Sequence, residues 1–279
     1  MPEMPEVEII RRSLINKLKG KQIVQIEILL ARQIKWPDRD GFVAMTVGRH
    51  IIDIGRKGKY LLLLLDNGNT IVFHLRMTGR LCYTLKEASQ DLYKRIIFLL
   101  DDGNLLIYAD TRTLGTIYAL APGEEWRIEG LSHMGVEPLT EDFTEGYLYD
   151  VMYKSKAKIK SFLLNQKKIS GLGNIYADEC LHMAGIHPLR LAGSLMKNEI
   201  AQLHMAINKV IADGIRDGGT TFRDYRNGEG EKGHHQENLF VYGRDGKPCK
   251  VCGTIIEKIV VGGRGTHFCP NCQKLREES

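Results

Sequence analysis

The sequence lacks any long apolar run and has little cysteine. No stretch approaches the ~20 consecutive apolar residues of a membrane-spanning helix, and the N-terminus has no signal-peptide core. These absences argue against a membrane protein and predict a cytoplasmic chain. Of the six cysteines, Cys82 and Cys180 stand apart from the others and are expected to be ordinary buried thiols in a reducing compartment.

Length and composition allow a large folded protein. The chain has 279 residues, of which 43% are hydrophobic, so it can bury a sizeable core and is expected to form two domains. The formal net charge of +5 favours an acidic partner without identifying one.

The other four cysteines form two Cys-x-x-Cys pairs near the C-terminus. Cys249 and Cys252 are separated from Cys269 and Cys272 by sixteen residues, enough for a hairpin that goes out and returns. This spacing predicts one Zn²⁺ held by four thiolates. Two disulfides in a secreted protein are the alternative that the spacing disfavours. With four protein ligands the metal has no open position, so the zinc is predicted to be structural and the catalytic groups lie elsewhere.

Between the cysteine pairs the sequence predicts a hairpin that carries an arginine. Ile259 and Val261 indicate a strand, Gly262 and Gly263 a turn, and Arg264 follows at the tip. A guanidinium beside bare glycine amides is suited to a phosphate, although a solvated surface arginine has the same pattern.

The N-terminus suggests chemistry of its own. An amphipathic helix is expected after Pro5, with its apolar stripe on Val7, Ile10, Leu14 and Leu18 and its end at Gly20. Removal of Met1 would expose the secondary amine of Pro2 beside the carboxyl group of Glu3. A secondary amine that condenses with an aldehyde-level carbon gives an iminium without an N–H, which draws electrons from the neighbouring carbon. The alternative is that Pro2 and Glu3 are only a flexible segment that precedes the helix.

Residues 21 to 120 read as β-structure. Two hairpins with similar turns are predicted, over residues 61–74 and 96–109, and together they favour a β-sandwich backed by the first helix. Lys59 lies just before the first hairpin, where a cation near the Pro2 amine would serve an anionic substrate, although a solvated strand end has the same appearance.

After a connector around 135–141 the pattern becomes helical. A Gly171-x-Gly173-Asn174 turn opens a helix and offers free backbone amides to an anion, although glycines at helix junctions are common. A later helix is expected from a Ser194 cap to Gly218 and Gly219. The polar, glycine-rich segment 220–236 is too long for a simple connection and is a candidate lid.

Taken together, these pieces resemble the formamidopyrimidine-DNA glycosylase and endonuclease VIII family, and the similarity runs nearly end to end. The matching segments lie in the same order, with Met4 favouring the formamidopyrimidine branch: 2–8, 59–61, 74–80, 171–179, 218–224, 241–244 and the zinc hairpin.

The resemblance implies an α+β fold with three parts. These are a catalytic β-sandwich with flanking helices (1–134), a helix-two-turn-helix DNA-binding domain (135–239) and a four-cysteine zinc hairpin (240–279). The expected partner is double-stranded DNA with a damaged base or an abasic site, held between the domains. The protein is expected to act as a monomer on the DNA of a bacterial nucleoid, without binding membranes.

The resemblance also implies an activity. A bifunctional DNA glycosylase and AP lyase would use Pro2 to attack the sugar of an oxidised nucleoside, of the formamidopyrimidine or 8-oxoguanine type, and then drive β,δ-elimination. Glu3 would transfer protons, and Lys59 would assist as a third catalytic residue. DNA contacts would come from the following residues: His74, Met77, Arg112, Leu114, Asn174, Tyr242 and Arg264.

Two features depart from the family pattern. Leu114 stands where a phenylalanine usually helps Met77 and Arg112 to fill the gap left by the flipped nucleotide, and leucine cannot stack as a ring does. In the 220–236 segment, His234 and His235 replace a more usual aromatic residue. These departures leave the preferred lesion open. Separately, a relative that binds damaged or abasic DNA without cutting it is the alternative function.

Overall fold

The structure is a computed structural model that describes residues 1–85 and 92–275, and the chain forms two compact units. The first unit comprises residues 1–132 and 217–236, and the second comprises 133–216 and the chain from 237 onward. The predicted α+β class with an N-terminal sandwich and a C-terminal zinc hairpin is confirmed. None of the helices in the described ranges is long and apolar enough to cross a membrane.

Helix α1 (Met4–Leu18) opens the first unit with the predicted apolar stripe. Val7, Ile10, Leu14 and Leu18 are all buried, and Gly20 follows the helix with a left-handed φ of 83°. Burying one such side chain contributes about 1.5–3 kcal/mol. The stripe therefore fixes α1, and with it the N-terminus, on the sheets beneath.

Two sheets form the sandwich. The four-stranded sheet has the order β1-β7-β8-β6, with these bounds: β1 Ile23–Ile28, β6 Gly79–Thr84, β7 Lys94–Leu100 and β8 Leu105–Asp110. The five-stranded sheet has the order β2-β9-β5-β4-β3, with these bounds: β2 Ile34–Trp36, β3 Ile51–Lys57, β4 Tyr60–Leu65, β5 Thr70–His74 and β9 Thr116–Leu120. The pairs β4-β5 and β7-β8 confirm the two predicted hairpins. The described part of this unit also has two short α-helices, α2 (Arg39–Thr46) and α3 (Glu129–Ser132).

Aromatic side chains join the two sheets. The ring of Phe73 on β5 lies 6.2 Å from that of Phe98 on β7 and 5.9 Å from that of Tyr108 on β8, measured between centroids. These rings share one apolar cluster with the α1 stripe. The core therefore lies between the sheets and beneath α1.

Residues 217–236 belong to the first unit, although they follow the last helix of the second. Tyr225 is buried in the sandwich core, and the Gly228 N–H donates to the Ser13 hydroxyl on α1 at 2.9 Å. A Cβ on Gly228 would lie only 2.4 Å from Leu14, so glycine permits this close approach. The segment predicted as a lid is thus tied to α1 along part of its length.

The second unit contains four α-helices and a hairpin in its described part, with these bounds: α4 Glu145–Met152, α5 Ile159–Leu163, α6 Asn174–Met183, α7 Lys197–Arg216, β10 Glu257–Val261 and β11 Arg264–Phe268. The predicted Ser194 cap is wrong. Ser194 ends a short 3-10 helix and its hydroxyl donates to the Leu191 carbonyl, whereas Glu199 accepts the Met196 N–H at 2.9 Å where α7 begins.

Candidate functional site

Pro2 and Glu3 lie at the N-terminal end of α1. Both side chains are buried, and Glu3 is the N-cap residue. The Glu6 carboxylate accepts the Glu3 N–H at 2.8 Å in a reciprocal capping box, and it also accepts the Thr220 N–H at 2.7 Å. The positive end of the helix favours both a neutral amine at Pro2 and a negative charge at Glu3. An amine here is therefore suited to act as a nucleophile.

Lys59 lies in a two-residue turn between β3 and β4, and it is 7% exposed. Arg56 donates to the Gly58 carbonyl in this turn at 3.0 Å and to Glu8 on α1 at 3.1 Å. Burial raises the pKa of Glu8, but hydrogen bonds from Arg11, Arg12 and Arg56 outweigh it and lower the pKa to about 2. An ionised Glu8 and Arg56 therefore link the turn that carries Lys59 to the helix that carries Pro2.

His74 ends β5 in the same unit and is buried. Burial, followed by the positive charges of Arg76 and Lys59, lowers the pKa of His74 from its ordinary 6.5 to about 3. Its Nδ1 atom has no hydrogen-bond partner in the described part of the chain. His74 is therefore expected to be a neutral imidazole at pH 7, with one buried ring nitrogen that makes no hydrogen bond to the described residues.

The low pKa of His74 predicts sensitivity to acid. Below pH 6.5 this histidine becomes protonated in the unfolded chain, whereas in the folded chain it stays neutral until the pH falls to about 3. Stability is therefore fully present above pH 6.5 and falls as the pH decreases. We expect the wild type to lose about 2 kcal/mol more free energy of unfolding than His74→Gln between pH 7 and pH 5. Urea denaturation at both pH values measures this difference, and His133→Gln, at an exposed histidine, is the control. Equal losses in wild type and His74→Gln would contradict the expectation.

Met77, Arg112 and Leu114 also belong to the first unit. They lie on two turns, 75–78 and 111–115, and all three side chains are exposed. Leu114 is 47% and Met77 40% exposed, so the apolar ends of both side chains are open to solvent. Two apolar tips and a guanidinium are thus available to a partner.

In the second unit, Asn174 opens α6 and contacts the hairpin. Its Nδ2 atom donates to the Gly265 carbonyl at 2.9 Å, and its Oδ1 is buried without a partner among the described residues. Gly262 and Gly263 both have left-handed φ values, 56° and 73°, and form the predicted two-residue turn before the exposed Arg264. The helix start and the arginine tip are therefore held in one arrangement.

Two consecutive carboxylates on α6 fix this arrangement. Asp178 accepts a hydrogen bond from the backbone N–H of His267 at 3.0 Å and another from the Nζ atom of the buried Lys160 at 2.5 Å. Glu179 accepts three backbone N–H groups, including that of Tyr242 at 2.8 Å. The Tyr242 ring in turn packs on His267, with 4.9 Å between centroids. Neither of these carboxylates, nor Glu6 in the first unit, was predicted from the sequence as a functional residue. Only Glu6 had a signal, the three-residue spacing of a capping box.

The four predicted cysteines come together. Their Sγ atoms all lie within 4.8 Å of one another, and the Cys252 Sγ is 3.4 Å from those of Cys269 and Cys272. A tetrahedral site with Zn–S bonds of ~2.3 Å places sulfurs about 3.8 Å apart, so these positions fit zinc. Cys180 is buried as expected, whereas Cys82 on strand β6 is only half-buried.

Three family models match the chain in sequence order. The formamidopyrimidine-DNA glycosylase N-terminal domain matches residues 1–117, the formamidopyrimidine-DNA glycosylase H2TH domain matches 134–226, and a zinc finger found in FPG and IleRS matches 246–275. The last match, with the sulfur geometry, establishes one structural zinc.

Curated relatives and solved structures match over nearly the full length. The formamidopyrimidine-DNA glycosylase of Pelotomaculum thermopropionicum is 45% identical, covering 99% of this chain and 100% of that protein. The Bacillus subtilis enzyme of the same name is 46% identical, covering 98% and 99%. A structure of the Lactococcus lactis protein Fpg with abasic-site DNA has a TM-score of 0.92 at 36% identity, covering 98% of this chain and 100% of that one. A variant of that protein, solved with a Fapy-dG containing DNA, gives the same values.

Proposed function

Because the chain belongs to the formamidopyrimidine-DNA glycosylase family, we propose that it is a bifunctional DNA glycosylase and AP lyase of base-excision repair. Its substrates are formamidopyrimidine and 8-oxoguanine type bases in double-stranded DNA, and abasic sites. One observation carries the proposal. Pro2 and Glu3 are buried at the N-terminal cap of α1, in a chain that matches over 98% of its length Lactococcus lactis Fpg structures with Fapy-dG or abasic-site DNA.

In the proposed mechanism the Pro2 nitrogen attacks the C1′ carbon of the damaged nucleoside. The glycosidic bond breaks, the base leaves with a proton, and the ring opens to an iminium between Pro2 and the sugar. Loss of a C2′ proton expels the 3′ phosphate, and a second elimination expels the 5′ phosphate. Glu3 transfers the protons for base departure and ring opening. The ionised form favoured by the helix end makes Glu3 a base first and an acid only after it has gained a proton.

The remaining site residues bind the DNA. Lys59 supports the reacting sugar by placing a cation beside its phosphate, and Asn174 and Arg264 hold neighbouring phosphates. His74 and Tyr242 make further contacts with the DNA backbone. Met77, Arg112 and Leu114 fill the space left by the flipped nucleotide. The zinc makes no contact with the reaction; it stiffens the hairpin that carries Arg264. The protein acts as a monomer in the bacterial cytoplasm, with the nucleoid DNA.

A borohydride experiment tests the proposal. Purified protein with Met1 removed is incubated with duplex DNA containing an abasic site or 8-oxoguanine opposite cytosine, and borohydride then reduces any Schiff base to a stable adduct. We expect an adduct that maps to Pro2, together with strand cleavage. Tight binding to abasic DNA without any adduct would instead indicate the relative that binds damage and does not cut.

Leu114 and Arg112 are expected to affect recognition rather than chemistry. Leu114 offers only apolar bulk, so Leu114→Phe should accelerate 8-oxoguanine excision by up to about tenfold through better stacking while leaving cleavage of a preformed abasic site unchanged. Arg112→Ala should reduce discrimination between opposite bases, because its guanidinium can donate to base edges. Single-turnover rates on both substrates measure these effects. If Leu114→Phe slows both reactions together, Leu114 serves local packing.

A further inference from the structure

A buried carboxylate lies beneath the turns that carry Met77, Arg112 and Leu114. Asp110, the last residue of β8, is completely buried and accepts five hydrogen bonds. The Oδ1 atom accepts from the Thr78 hydroxyl at 2.5 Å and from the Arg112 N–H at 3.2 Å. The Oδ2 atom accepts from these three donors: the Gly115 N–H and Gln33 Nε2, both at 2.8 Å, and the Tyr108 hydroxyl at 3.2 Å.

Thr78 joins the two turns into one network. Its hydroxyl donates to Asp110 and accepts the Arg112 N–H at 3.0 Å, so the residue directly after Met77 holds the backbone of Arg112. Gly115 completes the arrangement, because a Cβ at this position would lie 1.9 Å from the Tyr108 hydroxyl. The turn can approach the carboxylate only with glycine there.

The network holds the backbones of the two turns in place and leaves the ends of the Met77 and Leu114 side chains exposed. Between the anchored Arg112 and Gly115, Thr113 has a left-handed φ of 53° and accepts a hydrogen bond from Arg32 at 2.8 Å. Leu114 and Met77 remain 47% and 40% exposed. Exposed tips on a rigid base bind with a smaller ordering cost than tips on mobile loops.

We propose that Asp110 and Thr78 are positioning residues that set how Arg112, Met77 and Leu114 are presented to the strand opposite the lesion. This inference rests on the proposed function and deepens it, because it places control of opposite-base discrimination in a buried pair that does not touch DNA. A carboxylate that only stabilised the fold would affect all activities alike.

Thr78→Val is the sharpest test, because it removes the bridging hydroxyl and keeps the shape of the side chain. We expect the ratio of excision rates for 8-oxoguanine opposite cytosine and opposite adenine to fall by about tenfold. Trapping at a preformed abasic site with saturating protein should stay at the wild-type rate. Thr46→Val is the matched control: Thr46 is also buried in the first unit, and its hydroxyl donates to the Phe42 carbonyl at 2.7 Å on α2.

A double-mutant cycle then shows whether Thr78 acts through Arg112. If it does, Thr78→Val combined with Arg112→Ala has the same base ratio as Arg112→Ala alone. Additive losses would overturn the proposal, as would an unchanged ratio in Thr78→Val. A parallel decline of every rate with a lower melting temperature would show a structural role only. Asp110→Asn is a second variant, in which a donor NH₂ group replaces one carboxylate oxygen, so at least one of the five hydrogen bonds that Asp110 accepts is lost. Absence of trapping by the wild type would instead overturn the proposed function, and this inference with it.

Discussion

Insertion of one alanine between Met1 and Pro2 is expected to abolish the Pro2 adduct and to slow strand cleavage by more than about a thousandfold. The inserted residue converts the Pro2 nitrogen into an amide, whose lone pair is delocalised and cannot attack C1′. The new terminal amine lies up to about 3.8 Å further along the chain, outside the position held by the α1 cap. Borohydride trapping and single-turnover cleavage of abasic-site DNA measure both effects.

Pro2→Ala is the matched control for this variant. With Met1 removed it keeps an α-amine at the same place on α1 but makes it primary, so its Schiff base can lose a proton and is a weaker electron sink. We expect slower trapping that still maps to residue 2. Trapping of the extended variant at the wild-type rate would show that another group is the nucleophile.

Cys269→Ser is expected to eliminate bound zinc and to weaken binding to abasic-site DNA by at least about a hundredfold. Structural zinc contributes about 10–16 kcal/mol to the folding of small finger segments, and the hairpin has only a small core of its own. Asp178 can still accept the backbone N–H of His267, but without the metal we expect the hairpin to loosen, so that Arg264 and the contact between Asn174 and the Gly265 carbonyl are less firmly held. Metal analysis and fluorescence anisotropy with labelled DNA test this.

Cys82→Ser provides the comparison, since it makes the same chemical change at a half-buried thiol outside the zinc cluster. It should keep one zinc per chain and wild-type affinity. The β-rich signal of the first unit should survive in both variants. Full DNA affinity in zinc-free Cys269→Ser would contradict the role given to the hairpin.

Local periodicity was enough to predict the elements that carry the site. The α1 stripe, the hairpins β4-β5 and β7-β8, and the glycine turn before Arg264 all follow from residues close in sequence. The cysteine spacing likewise predicts a cluster whose members are brought together by one hairpin. The family resemblance added proposed roles for residues such as His74 and Tyr242, which no local pattern distinguishes.

Contacts between distant segments were not predictable in this way. Asp110 reads as an ordinary polar residue at a strand end, and its importance depends on donors from Gln33 and Thr78 that lie far away in the sequence. Tyr225 lies in a polar, glycine-rich stretch, yet it is part of the sandwich core. Ser194 has the right residue type for a helix cap, but Glu199 does the capping through its own side chain.

The return of residues 217–236 to the first unit also determines when that unit can finish folding. During synthesis, the sandwich strands leave the ribosome long before Tyr225 and the Thr220 amide that binds Glu6. Until then, the cap that holds Pro2 lacks one of its hydrogen bonds and the core lacks a ring. A nascent chain that ends after the sandwich is therefore expected to be incomplete at Pro2, the proposed nucleophile, so reactivity toward DNA would come only after most of the protein has been made.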